Sequence, residues 1–133
     1  FYAVLDKRNM NLTCANAGHP PLLLSKAGGE IEWVHPEGIA VGLSRNGNKP
    51  VCRGEKEVAL SHGDLVFFYT DGITDALDFE GRYFGRERLG NITKLLPTRG
   101  GEPFLTCLQR ELAAFSQDQS QSDDMTGVVL YRK

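Results

Sequence analysis

The stretch that most restricts the fold is Leu65–Thr70, LVFFYT. Five consecutive apolar or aromatic residues stand between the turn-forming SHGD and the pair Asp71-Gly72. The run is too short for a buried helix and too uniformly apolar for a strand with one wet face. It reads as a strand covered on both sides and therefore central in its sheet. A central strand needs a partner on each edge, and the rest of the chain must supply them.

Candidates lie on both sides. Phe1–Asp6 and Leu12–Ala17 flank the polar KRNMN and read as a hairpin. Leu22–Ser25 and Ile31–Val34 read as short strands around the turn KAGGE. Residues 35–50 are rich in Gly, Pro and Asn and read as a long loop, followed by a strand over Val51–Leu60. Beyond residue 70 the period changes. Leu89, Ile92, Leu95 and Leu96 share one helical face that Pro97 ends. A second helix over 103–117 turns Leu105, Leu108, Leu112 and Phe115 inward, with Pro103 in its first turn. Met125–Tyr131 closes the chain as a β-branched, apolar strand. Strands, then two helices, then a last strand define an α+β fold with helices on one face of an antiparallel sheet.

The bulk properties exclude several classes. A chain of 133 residues is about one domain. Its net charge of −2 gives no footprint for nucleic acid or an anionic membrane. No apolar run approaches the about 20 residues of a membrane span. Cys14, Cys52 and Cys107 are far apart and form no CxxC pair, which argues against a zinc site or a disulfide framework. Reduced thiols point to the cytoplasm. The opening FYAVLD has no Met and begins as a strand already under way, so a piece of a longer protein is expected.

Acidic residues carry the chemistry. Asp71, with Gly72 and Asp75 after it, follows the central strand; Asp123 and Asp124 precede the last one. If the last strand lies antiparallel beside Leu65–Thr70, these carboxylates meet at one sheet edge. Carboxylates converging without Lys or Arg repel each other, and a hard divalent cation removes that repulsion. Mg²⁺ or Mn²⁺ is the ion that such oxygens prefer. Plain turns and solvated caps are the alternative for both sites. A Ca²⁺ loop does not fit, because DGITDALDFEGR lacks oxygens at alternate positions and a Glu at the twelfth. His19, between Gly18 and Pro20-Pro21, reads either as a turn-stabilising residue or as a proton donor or phosphate contact. Gly127, inside the last strand, reads as a weak point or a bulge.

The ordered set NAGHPPLLL, GIAVGL, LSHGDLVFFYTDGITDA, GRYFGRERL and SDDMT resembles the C-terminal half of the stage II sporulation protein E type phosphatases. These are metal-dependent serine/threonine phosphatases similar to protein phosphatase 2C (PP2C). The resemblance implies an antiparallel β-sandwich flanked by helices, with residues 1–133 forming the C-terminal portion of a single domain. It implies two Mn²⁺ or Mg²⁺ ions, with Asp71 and Asp123 as ligands acting through an activated water. Gly72, Asp75, Asp124, Thr126 and His19 then stand beside the site. Ions about 4 Å apart make water a nucleophile for in-line attack on phosphorus, so no protein nucleophile is needed. The family's other bridging Asp lies upstream of this sequence, so these residues alone are expected to be inactive. The implied partners are a phosphoprotein substrate, such as an anti-sigma-factor antagonist, and an upstream regulatory or receiver domain in the same chain. The competing expectations are a phosphatase-fold adaptor without turnover that binds a sigma factor or its regulator, and a structural domain with ordinary acidic caps.

Overall fold

In a computed structural model, residues 1–43, 54–95, 100–117, 119–121 and 123–133 are described. The first hairpin pairs β1 (Tyr2–Asp6) with β2 (Asn11–Ala15) in antiparallel register, Val4 opposite Thr13. Strand β5 (Lys56–Ala59) adds to the other edge of β2, giving a three-stranded sheet. The expected strand over Val51–Leu60 is thus shorter: residues 51–53 lie outside the described residues, and pairing starts at Lys56.

The second sheet holds β3 (Leu22–Ser25), β4 (Ile31–Val34), β6 (Leu65–Tyr69) and β7 (Gly127–Tyr131) in the order β4-β3-β6-β7. Every pairing in it is antiparallel. The LVFFY run therefore has β3 on one edge and β7 on the other, as a doubly covered strand requires. Alternation along it serves two cores. Val66, with Leu22 and Leu24 of β3, faces Leu12, Cys14 and Val58 of the first sheet. Leu65, Phe67 and Tyr69 face the helices. The chain is an α+β antiparallel sandwich with its described helices on one face.

The helical layer contains α1 (Asp71–Thr74), α2 (Gly85–Leu95) and α3 (Gly101–Ser116). Leu89 and Ile92 of α2 are buried as the periodicity requires, while Leu96 and Pro97 lie outside the described residues. In α3 the inward stripe is shifted. Phe104, 1% exposed, leads it with Leu108 and Leu112, whereas Leu105 and Phe115 are half-buried. Phe104 meets the Phe67 ring edge-on at 4.9 Å, and the larger aromatic surface takes the central place. Gly127 is not a bulge: the β6–β7 register runs unbroken from Leu65↔Tyr131 to Tyr69↔Gly127.

Candidate active site at the β6–β7 edge

The β6–β7 ladder brings two segments remote in sequence to one sheet edge. Thr70 extends the pairing one step, its amide donating to the Thr126 carbonyl at 3.0 Å. Its hydroxyl donates to the Asp124 carbonyl at 2.8 Å and accepts from the Thr126 amide at 2.9 Å. Thr70 is still extended (φ −80°, ψ 153°), and the chain then bends into the single turn of α1. The Asp75 amide donates to the Asp71 carbonyl at 2.8 Å and the Thr74 hydroxyl donates to it at 3.1 Å, so Asp71 heads a closed turn. Such a short helix leaves no periodicity to read, and the sequence gives only the Asp-Gly turn signal.

Gly72 brings the two segments into contact. A Cβ at this position would lie 2.5 Å from the Asp124 carbonyl oxygen and 3.2 Å from that of Asp123. Only a residue without a side chain allows that approach. Across the contact, Asp123 Oδ1 accepts the Asp124 amide at 2.7 Å, and Gln121 Nε2 donates to the Asp123 carbonyl at 2.7 Å. Asp71, Asp75, Asp123 and Asp124 are all exposed, and among the described residues none of them is in an ion pair.

Asp71 and Asp75 also line a cleft of about 500 Å³ with His19, His35, Tyr83 and Arg86. Asp123 and Asp124 are outside that lining. His19 is held by Asn16, which is 1% exposed: Asn16 Oδ1 accepts the His19 amide at 2.8 Å and Asn16 Nδ2 donates to the His19 carbonyl at 3.0 Å. Asn16 thus clamps this turn, and the His19 ring adds a contact of its own within it. His19 Nδ1 is 2.9 Å from the Pro20 carbonyl and donates to it. His35, given no role by sequence, shares the cleft wall.

At the end of β6, the Tyr69 hydroxyl is buried without a hydrogen-bond partner among the described residues. Burial pushes its pKa up, as does the nearby Asp75 charge, while Arg86 opposes both. Arg86 also lies 6.0 Å from the centre of the Trp33 ring, and Trp33 meets Tyr69 edge-on at 6.4 Å. Nothing in the sequence pattern marks Asn16, Tyr83 or Arg86 for this edge. Thr70 had one signal, its place between the central strand and Asp71.

The donors fit a hard divalent cation in part. Carboxylate oxygens and a glycine cradle are present, but among the described residues no three His, Cys, Asp or Glu side chains converge on one point. This edge can supply a portion of a coordination shell, with water and other protein oxygens completing it.

The two sheets and their helices match part of the fold of PP2C-type phosphatase domains. It superposes on the SiaA-PP2C domain of Pseudomonas aeruginosa with a TM-score of 0.82 at 22% identity, over 98% of this chain and 50% of that one. For the phosphatase domain of SpoIIE from Bacillus subtilis the values are 0.71 and 17%, over 98% and 55%. The family model described as "Stage II sporulation protein E (SpoIIE)" matches residues 1–133, and the chain belongs to that family. Protein IcfG of Synechocystis sp. (strain ATCC 27184 / PCC 6803 / Kazusa) is 30% identical over 132 residues, 99% of this chain. The chain spans 20% of IcfG and about half of the two solved domains.

Proposed function

We propose that this chain is the C-terminal portion of a metal-dependent phosphoprotein phosphatase domain, a cytoplasmic signalling output that hydrolyses phosphoserine or phosphothreonine on a regulatory protein. An anti-sigma-factor antagonist is the substrate class that the family resemblance suggests. The observation that carries this reading is the contact of Gly72 with the 123–124 backbone, which sets the segments of Asp71 and Asp123 side by side.

In this reading Asp71 and Asp123 are ligands for Mn²⁺ or Mg²⁺, and residues upstream of this sequence complete the shell. When held there, such ions would acidify water and offset phosphoryl charge. The chain's own residues do the rest. Asp71 is presented at the head of α1, and Asp123 is oriented by the Asp124 amide. His19 lines the cleft that Asp71 shares, with its Nδ1 engaged by the Pro20 carbonyl. Arg86 provides that cleft with a cation for an anionic substrate.

The test uses the full-length protein with Mn²⁺ and a phosphoprotein substrate. Asp71→Asn is expected to abolish turnover while leaving the urea midpoint close to wild type. Turnover that survives this substitution would end the reading. A wild-type protein that binds the phosphoprotein without hydrolysing it would establish the adaptor alternative.

A further inference from the structure

We infer that Thr70 is a positioning residue, whose hydroxyl sets the separation of the Asp71 and Asp123 segments and so the affinity of this edge for a hard divalent cation. The inference rests on the metal-site reading proposed above.

The geometry at the fork is specific. The β6–β7 pairing ends at Tyr69↔Gly127, and the Thr70 amide adds one more bond to the Thr126 carbonyl. Beyond that point the strands part. One side turns into α1, and the other leads back through Asp124 to Asp123. Two backbone groups face the parting, the Thr126 amide and the Asp124 carbonyl, and the Thr70 hydroxyl satisfies both at 2.9 and 2.8 Å. A hydroxyl accepts and donates at once, which no aliphatic side chain of the same shape can do.

The same carbonyl of Asp124 is the atom that a Cβ on Gly72 would strike at 2.5 Å. The spacing is thus held from both directions, by a bond from Thr70 and by contact at Gly72. Asp124 passes the constraint on, because its amide fixes Oδ1 of Asp123 at 2.7 Å. Asp71 is the next residue after Thr70. Among the described residues, a hydrogen-bonded route therefore links the Asp123 carboxylate to residue 70, the chain neighbour of Asp71, through one oxygen atom, Thr70 Oγ1.

These bonds lie at the surface, where water replaces a lost partner. Removing them should disturb the site more than the fold, and this separates positioning from simple stabilisation. Outer-shell groups that orient ligands typically change metal affinity by about 10–100-fold.

The experiment measures Mn²⁺ binding to the full-length protein by calorimetry, without substrate, for wild type, Thr70→Val and Thr70→Ser. Thr70→Val should weaken binding by about tenfold or more and speed hydrogen exchange at the Thr126 amide, with the metal-free melting temperature nearly unchanged. Thr70→Ser should restore both. In an Asp123→Asn background, Thr70→Val should produce no further loss, because it acts through that carboxylate. Undiminished Mn²⁺ binding by Thr70→Val overturns the inference, as does Ser failing where Val fails. If Asp71→Asn and Asp123→Asn bind Mn²⁺ as wild type does, or wild type binds none, the metal-site reading itself falls.

Discussion

Gly127 stands opposite Tyr69 at the start of β7, and a Cβ there would lie 2.7 Å from Phe67 Cε2 and 2.8 Å from its Cζ. The Phe67 ring is fixed in turn by Tyr69, stacked at 5.5 Å, and by Phe104. It has little room to yield. Gly127→Ala should therefore destabilise the protein by about 1–3 kcal/mol through overpacking. Urea denaturation measures this, and a change within experimental error would show that the ring moves freely. The sequence suggests a weak point or a bulge and not this contact, because the steric partner is remote along the chain. Gly72 was legible as a tight turn but not as a contact surface for Asp124, for the same reason.

Turns at the level of elements depend on two buried carboxylates. Asp64 accepts the Ser61 amide at 2.8 Å, the Ala27 amide at 3.0 Å and Lys26 Nζ at 3.0 Å, tying the β3–β4 turn to the start of β6. Asp78 accepts the amides of Glu80 and Arg82, both at 2.9 Å, and Arg82 Nε at 2.7 Å, closing the turn that leads to α2. Burial raises both pKa values, but the amides and the paired cations outweigh it and hold each carboxyl below 3.8. Each contributes stability above the ordinary carboxylate range, and that stability is lost as pH falls through the lower folded value. Stability should accordingly drop below about pH 4, and Asp64→Asn should flatten that drop while lowering stability at pH 7. Denaturant unfolding between pH 3 and 7 tests it; an unchanged slope would remove Asp64 from the account. The strands were legible because alternation and a fully apolar run specify them. The turn at 77–83 was not, because its clamp is a side chain satisfying backbone amides rather than a composition signal. The α3 stripe differs from the periodicity at Leu105 and Phe115, because periodicity alone does not rank Phe104 above Leu105.

At the scale of the molecule, two sheets enclose one core and the helices enclose a second against β3 and β6. An ion held at the β6–β7 edge would bind the folded chain and not the unfolded one. Mn²⁺ at 100 times its dissociation constant should then raise the stability of the full-length protein by about 2.7 kcal/mol, reversed by a chelator. Thermal melts with and without Mn²⁺ measure this, and Asp71→Asn should erase the difference. The meeting of the Asp71 and Asp123 segments was legible from the two apolar strands that end and begin beside them. Asn16, Thr70 and Arg86 were hidden, since their roles depend on backbone atoms and rings that only folding brings near. The β6–β7 pairing also fixes an order of events during synthesis. Residues 71 and 123 are separated by the whole helical layer, so a ribosome must release the last strand before the two acidic segments can meet. A nascent chain halted within α3 would leave β6 with one bare edge and the 71 and 123 segments apart, and the final strand closes both gaps at once.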